Sequence, residues 1–110
     1  MKLPNKENVV VDIAKLRDYS LNPEHPEGKH KARVFKAALG LTQDDAEQLR
    51  EMILQAIETT DAEQTSATSH GERFAIDFVV KGLRGNVQVR SAWMIRNDEN
   101  FPRLTTCYIL

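Results

Sequence analysis

The apolar positions of this chain change their period once. Up to about residue 60 they recur at helical spacing, and from Phe74 onward they alternate with polar neighbours. Asp12 followed by Ile13, Leu16 and Tyr19 predicts a short helix, with Asp12 accepting from the free amides of the first turn and Asn22 and Pro23 ending it. From Lys29 to Leu39 the residues Ala32, Phe35, Ala38 and Leu39 form one helical stripe. That stripe leaves His30 and Arg33 on the opposite face and Lys31 on its flank, and Gly40 closes the helix. Thr42 with Asp45 is a variant capping box, and Ala46, Leu49, Ile53, Ala56 and Ile57 continue at helical spacing for about four turns.

Two stretches without a period separate these elements. Asn22-Pro-Glu-His-Pro-Glu-Gly28 is turn chemistry: the prolines fix φ, each restricts the residue before it, and Gly28 permits conformations that other residues avoid. His25 is therefore held on a stiff loop. Asp61 to Gly71, rich in Ser, Thr, Ala and Gln, predicts a mobile surface connection that carries His70.

The alternating half begins with Phe74, Ile76, Phe78 and Val80 against Arg73, Ala75, Asp77 and Val79, a strand with one buried face. Gly82 to Asn86 makes a hairpin loop, Val87 to Arg96 is a second strand, and Arg103 to Leu110 is a last strand after the turn from Asn97 to Pro102. Val87, Val89, Trp93 and Ile95 keep one parity only if Ser91 also faces the core, which suggests a bulge near Arg90 and Ser91. Trp93 itself reads as core rather than as a stacking platform. The expected fold is α+β: N-terminal helices packed on a C-terminal antiparallel meander of three to four strands, with no βαβ crossover.

Length bounds the picture further. At 110 residues the chain is expected to be a single domain, 1–110, with no room for a separate cofactor lobe. Apolar residues at 41% and charged ones at 28% exclude wholesale disorder, and the lone Cys107 excludes a disulfide scaffold. No Cys/His spacing resembles a zinc site, so neither a metal nor another cofactor is expected. No apolar run reaches the roughly 18 residues of a membrane span and the first residues are polar, so the expected location is cytoplasmic with no membrane partner.

Charge changes the picture more than composition does. The formal net charge is −1, a value that by itself argues against a nucleic-acid partner. The distribution is uneven, however: Lys29, Lys31, Arg33 and Lys36 follow one another without an acid, and between Arg73 and Arg103 six basic residues meet only Asp77, Asp98 and Glu99. Seven acids between Asp44 and Glu63 against Arg50 alone supply the compensation. If the second helix packs beside the sheet, Lys29, His30, Lys31 and Arg33 come near Arg90 and Arg96 and form an electrostatic footprint for phosphates. The bland alternative is a set of solubilising charges on exposed faces.

Candidate chemistry follows from charge and placement. His25 is the candidate acid or base because imidazole titrates near neutrality, with His30 as its substitute; the competing reading is a turn histidine bonded locally. Lys31 and Arg33 are candidate phosphate stabilisers, Arg90 a second clamp, and Thr106 (or Thr105) an orienting hydroxyl. Lys29, His30, Arg33 and Arg96 are the candidate RNA-binding residues. No phosphate loop, dinucleotide fingerprint or Ser-His-Asp signature is present.

Several runs carry a family resemblance: Lys2-Leu-Pro-Asn5, Leu16-Arg-Asp-Tyr19, Leu21 to Phe35, Val89-Arg-Ser-Ala-Trp93 and Phe101 to Tyr108. With Asn-Pro-x-His-Pro-x-Gly-x-x-Lys-Ala at Asn22 to Ala32, nearly the whole chain resembles a family of small bacterial domains, some labelled adhesin-like. These occur as free-standing proteins beside another small gene and as C-terminal toxin modules of large secreted polymorphic toxins. Their likeness to the barnase, EndoU, colicin and RelE group of metal-independent ribonucleases implies a similar helices-then-sheet plan. It also implies cleavage of RNA, tRNA among the candidates, to a 2′,3′-cyclic phosphate, and a small acidic antitoxin or immunity protein encoded nearby as partner. The group shares no single catalytic set, so the resemblance assigns no residue its role. The competing function is a non-enzymatic protein-binding module, the neutralising member of such a pair or an interaction domain, working through the acidic helix from Thr42 to Thr60.

Overall fold

The computed structural model describes residues 1–110, and its helices precede its strands. A short helical segment, Ile13–Lys15, runs on into a wider π turn, Leu16–Ser20; together they form α1. Helix α2 spans Lys29–Leu39 and helix α3 Ala46–Thr59, the latter entered through a 3-10 turn, Gln43–Asp45. Strands β1 (Glu63–Thr68), β2 (Gly71–Lys81), β3 (Asn86–Arg96) and β4 (Arg103–Ile109) form one antiparallel sheet in chain order. The fold is α+β, as the change of period predicts.

Local chemistry explains each boundary. Asp12 Oδ1 accepts from Ala14 N at 3.0 Å and opens α1. Gly40, with φ of 71°, ends α2 in an αL cap: its amide donates to the Lys36 carbonyl, and the Leu41 amide donates to that of Phe35. Thr42 N donates to Asp45 Oδ2 at 2.8 Å, one side of the capping box in front of α3.

One face of the sheet is packed against the helices. Cross-strand rows Phe74–Trp93–Leu104, Ile76–Ser91–Cys107 and Phe78–Val89–Ile109 meet Phe35 of α2 and Leu49, Ile53 and Ile57 of α3 in a single core. Phe35, Leu49, Ile53 and Ile76 are fully enclosed. Each large aliphatic or aromatic side chain taken out of water contributes about 1.5–3 kcal/mol. Val10 lies alongside the start of β4 as a parallel bridge, accepting from Leu104 N at 3.0 Å, and covers that part of the sheet edge. No helix is long and apolar enough to cross a membrane.

Two sequence-based expectations need correction. The stretch from Asp61 to Gly71 is largely a strand: β1 pairs with β2 from Glu63 opposite Ala75 to Thr68 opposite Gly71, around a tight turn at Ser69 and His70. Its side chains are almost all exposed, so the strand is held by backbone bonds to β2 and leaves no apolar alternation to read. The second correction concerns the bulge. Ser91 does face the core, but β2 and β3 pair without interruption past it. A hydroxyl tolerates that position because Ser91 Oγ donates to the Ile76 carbonyl at 3.1 Å and accepts from Trp93 Nε1 at 2.9 Å. The irregularities lie elsewhere, at Thr65 on β1 and at Thr105 on β4, where Ala92 pairs Thr106 and Trp93 pairs Leu104.

Candidate functional site

The most reactive-looking arrangement sits where α2 passes the edge strand β4. Lys31 leaves the flank of α2, as its helical position requires, and its Nζ donates to Tyr19 Oη at 3.1 Å. The ammonium lies 4.8 Å from the centre of the Tyr19 ring and 5.6 Å from that of Tyr108, within cation–π range of both. No carboxylate forms a salt bridge with Lys31. Its charge is held by phenols rather than neutralised.

The site extends across the sheet from Tyr108. Tyr108 pairs with Arg90 on β3, and Arg90 pairs with Asp77 on β2, on the face opposite the core. Arg90 grips Asp77 through two bonds, Nε to Oδ1 at 2.7 Å and Nη2 to Oδ2 at 2.8 Å. That bond to Asp77, with a smaller share from the Tyr108 phenol, raises Arg90 above the ordinary guanidinium range. One outward-facing position back along β4, Thr106 carries a buried Oγ1 without a hydrogen-bond partner.

His25 is bonded within its own loop. Its Nδ1 accepts from the backbone amides of Glu27 and Gly28, both at 3.0 Å, and its carbonyl accepts from Lys29 N at 3.0 Å. The imidazole therefore serves as an acceptor for amides ahead of α2, and the neutral tautomer compatible with those bonds carries its proton on Nε2. Edge-on contact with Tyr19, ring centres 4.7 Å apart, ties the loop to the site. The rest of the loop is equally local. Asn22 Oδ1 accepts from Glu24 N at 3.0 Å, and Gly28 lies so close to α1 that a Cβ there falls 2.2 Å from the Tyr19 carbonyl oxygen.

A family model of domains of unknown function, DUF6883, matches residues 2–110. The chain belongs to the DUF6883 family. No curated protein matches it.

Within this DUF6883 domain the residues singled out from the sequence fall into three groups. Lys31, Arg90 and Thr106 converge around Tyr108, and His25 adjoins them through Tyr19. Lys29 and His30 lie in the first turn of α2, half-buried and exposed respectively. Arg33 and Arg96 point the site elsewhere. Two residues after Lys31, Arg33 is turned about 200° around the helix and lines a groove with Arg84. Arg96 is six residues from Arg90, roughly 20 Å along the strand, with Glu99 at 4.0 Å. The expected single footprint of all these cations is thus divided.

Tyr19 is the site residue that sequence reasoning missed. It counts as one member of a helical apolar stripe, and nothing near it in sequence marks the hydroxyl that meets Lys31 twelve positions on. Cys107, by contrast, is inert: burial pushes its thiol up to about 12, against a weaker opposing pull from Lys31. No three His, Cys, Asp or Glu side chains of the DUF6883 domain come together at metal-binding spacing.

Proposed function

We propose that this domain cleaves RNA without a metal, as the toxin of a toxin–antitoxin or toxin–immunity pair. One observation carries the reading: Lys31 is a half-buried cation with no carboxylate partner, hydrogen-bonded to one phenol and facing a second. A phosphodiester supplies the anion such a site lacks. The similarity to polymorphic-toxin modules noted from the sequence, and the helices-before-sheet order, agree with it.

In this reading the scissile phosphate lies against Lys31 and Tyr108. The ribose 2′-oxygen bonds to phosphorus as its proton passes to water, and the bond to the 5′-oxygen breaks. Tyr19 accepts its hydrogen bond from Lys31 and so keeps its own proton free to donate to the departing 5′-oxygen, regaining it from water. Lys31 offsets the charge that accumulates on the phosphorane, and Arg90, fixed by Asp77, orients Tyr108 from the neighbouring strand. Thr106 offers a hydroxyl to the ribose or phosphate. The products are a 2′,3′-cyclic phosphate and a 5′-hydroxyl. A small acidic protein is the fitting neutraliser, since it covers the same cations that receive RNA.

The test is induction of the chain in bacteria beside its Lys31→Met and Tyr19→Phe variants, with total RNA from each culture mapped for new ends. Growth arrest with 2′,3′-cyclic phosphate ends, lost in both variants, is the expected result. Unimpaired growth and intact RNA with the wild-type protein soluble and folded transfers the assignment to the protein-binding module.

A further inference from the structure

A second feature lies further along α2. A groove of about 510 Å³ runs between the C-terminal half of the helix and the hairpin that joins β2 to β3. Its floor is aliphatic, formed by Val34, Ala37, Ala38 and Val87, with Arg33 on the helix side and Arg84 on the hairpin side. Val34 is 44% exposed and the adjoining Leu83 67% exposed, a large apolar showing for so small a protein.

The groove is set in place before any ligand arrives. Leu83 N donates to the Ala38 carbonyl at 2.9 Å, fastening the hairpin to the helix. Gly82 makes this close approach feasible, since a Cβ there falls 2.7 Å from the same carbonyl oxygen and 2.6 Å from Val87 Cγ2. Walls fixed in this way lose little freedom on binding.

The charges say what fits. Neither Arg33 nor Arg84 forms a salt bridge, so both guanidinium groups face the groove region uncompensated. We infer that this groove docks an acidic amphipathic helix of a partner protein, its aliphatic face on Val34, Ala38 and Val87 and its carboxylates on Arg33 and Arg84. A nucleic-acid strand is the weaker match, because the floor has no aromatic ring on which a base stacks. An aliphatic trough with a cationic rim is instead the complement of a helix with apolar residues at i, i+3 and i+7 flanked by Glu and Asp. The inference stands apart from the RNA-cleaving reading, because it uses none of Lys31, Tyr19 or Tyr108.

Panning a displayed library of random helical peptides on the folded full chain tests it, with the Arg33→Glu/Arg84→Glu double variant and the Val34→Asp variant, both verified as folded by circular dichroism, as controls. Enriched peptides are expected to be acidic and amphipathic, to bind each control at least about tenfold more weakly, and to bind the Lys31→Met variant as they bind wild type. Absence of enrichment, enrichment without acidic residues, or equal affinity for the double variant overturns the proposal. Displacement of the enriched peptides by a single-stranded RNA oligomer that shifts the Val34 and Val87 methyl resonances also overturns it, and makes the groove a nucleic-acid path instead.

Discussion

The loop from Asn22 to Gly28 and the cluster around Lys31 adjoin each other through Tyr19, yet they are opposites in how they use polar groups. In the loop the key polar atoms are occupied locally: Asn22 Oδ1 by Glu24 N, His25 Nδ1 by Glu27 N and Gly28 N, and the His25 carbonyl by Lys29 N. In the cluster the Lys31 ammonium has a phenol and two ring faces but no anion, and Thr106 Oγ1 has no partner at all. The most distinctive sequence in the chain therefore serves the backbone. The capacity to receive a ligand lies in residues of ordinary appearance that only the fold brings together.

Breaking the loop has the largest expected effect. In Gly28→Ala the new methyl group meets the Tyr19 carbonyl oxygen and carbon, at 2.2 and 2.9 Å, and backbone on one side or the other must move. A loss of about 3 kcal/mol is expected, as for an overpacked core position, read as a lower urea midpoint. Because the displaced segment carries Tyr19, the proposed RNA cleavage is expected to fall with it. A variant of wild-type stability shows that the loop does not dock as described.

Lys31→Met is expected to do the reverse. The side chain keeps its length and loses its charge, so stability changes by less than about 1 kcal/mol, while cleavage drops by at least about a hundredfold. Arg90→Lys is the companion, because a lysine cannot reproduce the paired bonds to Asp77. It is expected to lose more stability than Lys31→Met and less activity, roughly tenfold. Equal cleavage by Lys31→Met and wild type removes Lys31 from the site.

How much of this was legible in the sequence follows the same division. Helix α2 could be read residue by residue, because Ala32, Phe35 and Leu39 repeat on one stripe and Gly40 supplies the left-handed cap. Strands β2 and β3 were readable because one buried face forces alternation. β1 was not, since an edge strand joined only through its backbone needs no particular side chains. Of the site, Lys31 and Arg90 were reachable from charge and placement, and Thr106 only as one of two adjacent strand hydroxyls. Their convergence on Tyr108, and the part played by Tyr19, depend on how α2 sits against the end of β4, which no local pattern encodes. Arg33 was grouped with them although the helical period already sets it on another face from Lys31, and Arg96 because charge along a chain does not say which end of a strand lies beside α2.

His25 sharpens the comparison most directly. If its work is to hold amides ahead of α2, His25→Ala lowers stability by about 1 kcal/mol, as loss of a helix cap does. His25→Asn recovers much of that, since a short carboxamide accepts from the same amides. Cleavage by both variants should stay within about threefold of wild type, well short of the effect of a lost acid or base. Urea titration and an initial-rate assay on one labelled oligomer separate the outcomes. A folded His25→Asn protein that no longer cuts makes the imidazole catalytic and dissolves the distinction between loop and cluster.

The smallest effect concerns cations already satisfied, of which Arg103 is the clearest. It binds Glu99 through two bonds, at 2.8 and 2.7 Å, and this pairing holds the Glu99 carboxyl below the usual carboxylate range. A lowered acid favours the folded state above its unfolded value, near 4.3, and the advantage disappears as pH falls through the lower folded value. Glu99→Gln is therefore expected to be less stable than wild type at pH 7 and to approach it at pH 3, as denaturation midpoints at the two values will show. A gap of the same size at both pH values means that Glu99 acts through packing alone. Lys31, with no carboxylate of its own, should give no such convergence: Lys31→Met and wild type keep the same separation at both pH values, which is how an unneutralised cation differs from a paired one.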